Sequence, residues 1–485
     1  MNPTRPQEVS HLTIFHTNDM HGRLEAIARL NAYARRLRTE AELQGRQVFF
    51  WDAGDAADRR IRICSLTKGA AFAHVLNAMG YSLQSMGNAI SVTYGPQAMQ
   101  ALAARCDFPI LAANFRNAGG PVVEGFHEYV LLPLPGGLHI GVIGLTAELD
   151  NFYELFGLRF PHFLDVTREL VSKLREAGAD LIAVLSHLGL REDRQMAEAV
   201  PGIDLIIGGH SHSTLPEGEE TAGVLIAQAG EYAKALGRVD LSLDAATGRL
   251  LARSAQVLDV PEDEAPDPAV LEAIAVAERE VGELMVQPVG VLQAGLDLDH
   301  FQECAIGDLA ADALRQRMQA EVAIVSSGQF HRDLPLGTIT MGQLDEACFS
   351  TANPAVSEVR GANIITALER GLDPAVNRFE FGGLRGTPLG IPQISGLQVE
   401  YDPGAETGAR VRRVLVQGRL LDPERLYRLA HTDVEAVVDP GYRVVEDDRQ
   451  PRYELPTILR EVLQDYICEH SPVPQPERGR WVAIT

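Results

Sequence analysis

The feature that most narrows the possible folds is a junction repeated along the first half of the chain. An apolar run of strand length stops at a residue able to bind a cation or a proton. Leu12-Thr13-Ile14-Phe15-His16-Thr17 runs into Asn18-Asp19-Met20-His21-Gly22, and Val48-Phe49-Phe50-Trp51 runs into Asp52-Ala53-Gly54-Asp55. Leu83 to Met86 ends in Gly87-Asn88, Leu181 to Leu185 in Ser186-His187, and Ile203 to Ile207 in Gly208-Gly209-His210-Ser211-His212. Between these runs the apolar residues fall at helical spacing, as Leu24, Ile27, Leu30, Ala34 and Leu37 do. Strands alternating with helices form parallel sheets, and the carboxyl ends of such strands line up along one edge. A β-strand points alternate side chains to one face, so Asp19 and His21 are expected to aim together, as are His210 and His212.

The edge therefore collects Asp19, His21, Asp55, Asn88, His187, His210 and His212. Two carboxylates, one amide and four imidazoles suit a pair of divalent cations, with a shared carboxylate between them and neutral nitrogens completing each shell. Such O/N donors fit manganese, zinc, iron or cobalt. A lone D-x-H or a single histidine after a strand carries little; seven such residues at strand ends of one α/β region carry the reading.

Further along, the segment 261–288 begins with a proline- and acid-rich stretch and continues into a helical pattern over 269–284. It divides a metal-binding region, 11–260, from a second α/β region, 289–485. Residues 224–243 and 250–257 read as antiparallel strands that close the first region. The second has a helix over 305–317, a strand over 322–326 and a closing helix over 456–468.

The formal charge of -23 excludes nucleic acid and anionic membranes as natural partners. An anionic substrate would need a local source of positive charge, which bound metals supply. Residues 1–10 hold no apolar stretch of the kind an export signal needs, and no run is long enough to span a membrane. The five cysteines are odd in number and scattered, without metal-knuckle or redox spacing. Together these features point to the cytoplasm.

The order D-x-H, GD, GN, SHLG, GGHSH and AQAGEYAKALGRVDLSLD resembles the metallophosphoesterases, and within them the 5′-nucleotidase/UDP-sugar hydrolase family. AIGDLAADAL, SSGQFHRDLPLGTITMGQL, QISGLQVEYDPG and LDPERLYRLA resemble that family's C-terminal domain. The resemblance runs from about residue 12 to 445. It implies a four-layer α/β-β-α metal domain, joined by a helix to an α/β substrate-binding domain, with the site between them. It implies that Asp19, His21, Asp55 and His212 hold one metal and that Asp55, Asn88, His187 and His210 hold the other, Asp55 bridging. Water on the metals, acidified to near neutrality, would then attack phosphorus in line. Asp55 and Asn88 would serve catalysis directly. His331 and Arg332 would contact phosphate, and Asn114 and Gln329 would contact substrate.

The same resemblance exposes departures. The family's GN is followed by a catalytic histidine, whereas this chain reads Gly87-Asn88-Ala89-Ile90, with no side-chain donor at position 89. An intracellular branch of the family shares that loss. The GGIR loop reads Gly328-Gln329-Phe330-His331-Arg332, and the two aromatics that clasp a nucleobase are replaced by Ile391 and Val434. The expectation is an intracellular dimetal phosphohydrolase acting on a small phosphate ester or anhydride, a nucleotide or related compound. The alternative is a metal-dependent phosphate-binding or sensory protein that does not turn its ligand over.

Overall fold

The computed structural model describes residues 9–380, 382–384, 386–445 and 450–484. The start of the chain, read above for the lack of an export signal, lies outside the described residues up to Glu8. The chain forms two compact units, Met1–Val281 and Gly282–Thr485.

The first unit is built on two six-stranded sheets. In the first, Val9–Thr17, Gln47–Asp52, Leu83–Ser85 and Ile110–Leu111 lie parallel in that order, and Ala235–Asp244 and Leu250–Asp259 extend it antiparallel beyond Val9–Thr17. In the second, His139–Leu145, Leu181–Ser186, Leu205–Gly208 and Val224–Ala227 are parallel. Tyr129–Pro133 and Glu219–Thr221 pair antiparallel at its two edges. Leu12, Ile14, Trp51 and Leu83 of one sheet share a core with Val142, Ala183, Leu185 and Ile207 of the other. The helix Phe163–Glu176 covers the outside of the second sheet, burying Phe163, Val166, Leu170 and Leu174 on one stripe. Lys173 and Arg175 in its last turn complement the negative end of the helix dipole. Covered on both faces, Leu181–Ser186 is buried at every position, as central parallel strands are. On the first sheet, the helix Leu24–Leu43 buries Ile27, Leu30 and Ala34. The result is the expected four-layer α/β-β-α arrangement.

The sequence misleads at one place. Residues 224–243 read as one antiparallel run, yet Val224–Ala227 belongs to the second sheet and Ala235–Asp244 to the first. Gln228 to Lys234 crosses between them, with Tyr232 and Ala233 in the left-handed region (φ 62 and 56). A hydrophobicity pattern cannot show a change of sheet, because both segments keep the strand period. The apolar stretch 108–113 forms only the short strand Ile110–Leu111, since the Phe115 N–H donates back to the Ala112 carbonyl in a turn.

The second unit is mixed. Val322–Ser326 and Leu426–Thr432 are parallel neighbours, flanked antiparallel by Pro392–Ser395 and Pro354–Arg360. A separate sheet holds Leu397–Tyr401, Val411–Val416 and Trp481–Ala483. The helices Ala305–Arg317 and Leu459–His470 pack with Val325 and Ala430 in one core, and Gly361–Gly371 with Ile324 and Leu429 in another. No helix among the described residues is long and apolar enough to cross a membrane.

Candidate functional site

Strand alternation is not what aims the candidate ligands. Val9–Thr17 and Leu205–Gly208 both end before their ligands begin. Asp19, His21, Asp55, His210 and His212 have φ values of 50, 46, 55, 70 and 55, a left-handed conformation that non-glycine residues seldom hold. Such strain persists only where surrounding structure imposes it, and it concentrates at functional sites. Here the turns are held by backbone bonds: Asp19 donates to Gly54, His21 to Asp55, and Tyr232 to Asp19. Two glycines make room. A Cβ on Gly87 would lie 2.1 Å from Asp55 Oδ1, and one on Gly54 would lie 2.6 Å from His187 Nδ1.

The turns gather the side chains into two clusters. In the first, Asp19, His21 and His212 bring one donor atom each within 4.8 Å of one another, and in the second Asp55, His187 and His210 do the same. Asn88 joins the second, its Oδ1 3.2 Å from His187 Nε2. The clusters are linked, because the His210 backbone N–H donates to Asp19 Oδ2 at 2.9 Å. Each draws on loops from both sheets.

Whether the clusters suit a cation is decided by where their protons go. His187 Nδ1 donates to the Ala53 carbonyl at 2.7 Å, so its Nε2 presents a lone pair. That lone pair faces Asp55 Oδ2 and Asn88 Oδ1, both at 3.2 Å. In the first cluster, His212 Nδ1 lies 2.6 Å from Glu231 Oε2 and His21 Nδ1 lies 3.3 Å from Asp58 Oδ2. The two Nε2 atoms then face each other at 3.1 Å, with Asp19 Oδ1 3.5 Å from one and 3.9 Å from the other. The Nε2 atoms of His21, His187 and His212 and the oxygens of Asp19, Asp55 and Asn88 thus converge on two points. A divalent cation at each point removes the repulsion, so the residues fit metal ions.

Without a cation, protons must serve. Burial pulls the His187 imidazole down, but the Asp55 carboxylate overrides it and the group rises to about 9. Burial likewise opposes ionisation of Asp55, yet His187 holds its pKa below the usual carboxylate range. His21 is raised despite burial, by Asp58 first and then by the charges of Asp55 and Asp19. Asp55 thus acts on both clusters. His210 is lowered by burial and by the neighbouring His187.

Asp58 and Glu231, which orient His21 and His212, were not singled out in the sequence. Asp58 follows Asp55 by three residues, and Glu231 lies inside the QAGEYAK stretch; only the fold shows which imidazole each one meets. Asn18 organises these loops. Its amide donates to Asp19 Oδ2 at 2.8 Å and to the Gly230 carbonyl at 2.6 Å, while its oxygen accepts from Ala229. Beneath the site, Asp52 accepts from Thr17, Gln84 and the Gly54 backbone, and burial pushes it up to about 7.

Two residues expected to contact substrate are engaged within the protein. Asn114 is fully buried, donating to the Thr146 carbonyl at 2.8 Å and accepting from the Thr146 N–H at 2.9 Å. It ties the end of one strand to the segment after another. Gln329 is also fully buried, donating to Thr432 and Glu435 and accepting from Ser350. His331 is half-buried, its Nε2 3.2 Å from the Leu384 carbonyl, and Arg332 is exposed. Both belong to the second unit. Ile391 and Val434 are buried there, with Val434 part of an apolar core, so neither forms an open face of a clamp. At the position of the missing histidine, the Ala89 N–H donates to Asp55 Oδ1 at 2.8 Å.

Comparison with known proteins agrees with this arrangement. Residues 12–214 match the calcineurin-like phosphoesterase family model, and residues 280–446 match that of the 5′-nucleotidase C-terminal domain. The chain is 26% identical over 454 residues to the metallophosphoesterase YunD of Bacillus subtilis, covering 93% of this chain and 98% of that protein. It is 25% identical over 537 residues to the snake venom 5′-nucleotidase of Crotalus adamanteus, covering 97% and 88%. Among solved structures, the NAD nucleotidase of Haemophilus influenzae shares the fold with a TM-score of 0.62 at 17% identity, over 99% of this chain and all of that one.

Proposed function

The chain belongs to the 5′-nucleotidase family of metallophosphoesterases and is a metal-dependent hydrolase; from that premise we propose that it hydrolyses a small phosphate ester or anhydride, a nucleotide or related compound, inside the cell. Convergence of acceptor atoms on two points, with the Nδ1 atoms of His21, His187 and His212 facing other acceptors, carries this reading. The seven residues would hold two divalent ions: Asp19, His21, Asp55 and His212 at one point, and Asp55, Asn88, His187 and His210 at the other. Manganese, zinc, iron and cobalt all suit these donors. When bound, such ions supply a Lewis acid for phosphoryl oxygens and lower the pKa of water.

The chain's own residues do the rest. Asp58, Glu231 and the Ala53 carbonyl fix the tautomers of His21, His212 and His187, keeping the Nε2 lone pairs inward. The Ala89 N–H fixes one oxygen of Asp55 and leaves the other to the metals. No side chain at position 89 can donate a proton to a leaving oxygen. Loss of one general acid lowers rates by about 10²–10⁴-fold for poor leaving groups. Substrates whose leaving group departs as a stable anion, such as anhydrides and aryl esters, are therefore favoured. The five cysteines are all free, which supports a reducing compartment. Selection of the organic part of the substrate is assigned to the second unit, with His331 and Arg332 as its phosphate-side candidates.

The test is phosphate release by protein reconstituted with manganese, then with zinc or cobalt. The panel holds p-nitrophenyl esters, nucleoside monophosphates, UDP-sugars and dinucleotide polyphosphates, with Asp55→Ala as control. Turnover that Asp55→Ala abolishes supports the hydrolase and names its substrate class. Two metals bound per chain and no turnover on any compound would leave a phosphate-binding protein instead.

A further inference from the structure

The loop that carries Asp55 and the loop that carries Asn88 are tied together twice. Asp55 Oδ1 accepts from the Ala89 N–H, and four residues further along each loop Arg59 Nη1 donates to Thr93 Oγ1 at 2.9 Å. The second loop is helical at this point, with Val92 donating to the Asn88 carbonyl and the turn continuing through Ser91–Tyr94. Residues four apart on a helical turn share a face, with Cβ atoms about 5–6 Å apart. Thr93 therefore holds the Arg59 guanidinium against the loop that carries Asn88, one turn past position 89, where alanine offers no side-chain donor.

The charge of Arg59 is unspent. Among the described residues no carboxylate pairs with it, whereas its neighbour Arg60 is committed to Asp58 through three donor–acceptor contacts. Only one of its five N–H donors is used, on a neutral hydroxyl, and the side chain is exposed. In a chain with a formal charge of -23 an unpaired arginine four residues from a metal-ligand candidate stands out. The other polar groups near this turn are occupied. Ser91 is bonded to Tyr153, which is fully buried and whose phenol burial drives far up. Neither can reach a substrate.

We propose that Arg59 binds the phosphoryl group at the second cluster, its guanidinium donating to a non-bridging oxygen and stabilising the charge that builds there during displacement. A guanidinium cannot lose its proton at any working pH, so it serves as a fixed electrophile and not as a general acid. The reading rests on the proposed phosphohydrolase, and it adds a cation from the metal-bearing unit itself to the site.

The test uses the full chain loaded with manganese, with metal counted per chain for every variant. Inorganic phosphate is titrated calorimetrically, and kcat/KM is measured on p-nitrophenyl phosphate. Arg59→Ala should weaken phosphate binding at least about 10-fold, as loss of a charge-assisted hydrogen bond does. It should lower kcat/KM about 10²–10³-fold, with two metals retained. Arg59→Lys should recover part of both, and Thr93→Val, which frees the guanidinium, should fall between. Phosphate affinity and kcat/KM within twofold of the parent in Arg59→Ala would overturn the proposal. So would loss of metal in that variant, which would make Arg59 a structural tie. A parent protein that binds phosphate but turns nothing over defeats the hydrolase reading alone, because the titration still decides Arg59.

Discussion

Two buried carboxylates, Asp55 in the first unit and Glu435 in the second, sit in polar surroundings that look alike in composition and differ in their proton count. Around Glu435, each lone pair meets a donor. Oε1 accepts from the Ser326 N–H at 2.8 Å and from Gln329 at 2.9 Å, and Oε2 accepts from the Thr432 N–H and hydroxyl, both at 2.7 Å. Around Asp55, one oxygen meets the Ala89 N–H and the other meets the Nε2 lone pair of His187 at 3.2 Å. The first arrangement is closed and can only hold the unit together. The second is incomplete until a cation arrives. Polar residue type and burial do not separate a structural network from a ligand site; the balance of donors against acceptors does.

The largest expected effect comes from removing Asp55. Asp55→Ala should lower turnover by about 10³-fold or more and reduce bound metal below two per chain, since the residue acts on both clusters. Elemental analysis of dialysed protein checks the count. Glu435→Ala should leave metal content untouched and strand the Ser326, Gln329 and Thr432 donors. At about 1–3 kcal/mol for each stranded donor, the second unit should lose at least about 3 kcal/mol, read from amide exchange along Val322–Ser326. Were metal content to fall with Glu435→Ala, or the exchange to stay unchanged, the contrast between a closed and an open network would fail. Asp58→Asn is subtler, because it leaves every ligand in place and removes the charge that orients His21 and pairs with Arg60. Metal titration should show about 10–100-fold weaker binding at one of the two points and no change at the other.

The smallest effect is in pH dependence, and it sharpens the contrast further. In chelator-treated protein His187 is raised from 6.5 to about 9, by Asp55 against the opposing effect of burial. Its contribution to stability is complete below pH 6.5 and is lost as pH rises through about 9. Glu435 is raised from 4.5 to about 7 by burial. Its contribution is complete below pH 4.5 and is lost as pH rises through about 7. Melting temperature should therefore fall with pH in two windows, and metal loading should erase the upper one only. An upper window that survives metal loading would show that His187 keeps its proton and is no ligand.

The legible part of this molecule was the part written in local pattern. Apolar runs ending at Asp19, Asp55, Asn88, His187 and His210 marked strands and their carboxyl ends, and strand–helix alternation marked the layers. Three things were not local. The left-handed turns that aim Asp19 and His21 are imposed by hydrogen bonds from distant loops, and neither residue type announces them. Asp58 and Glu231 acquire roles only when their imidazoles are brought to them. Gln329 reads as a loop residue next to a binding motif, yet the fold turns it inward, because Glu435 and the Thr432 hydroxyl accept from its amide and Ser350 donates to its oxygen. Asn114 differs only in its partner, the Thr146 backbone.

Each cluster takes residues from loops of both sheets: Asp19 and His21 with His212, and Asp55 and Asn88 with His187 and His210. An ion at either point would then act as a rivet through the sandwich, fastening two plates otherwise joined at this edge by loop contacts and the crossing 228–234. Pulled apart mechanically, the loaded protein should resist at this edge first and fail by tearing a ligand from its ion. Stripped of metal, the same edge becomes the seam along which the plates peel.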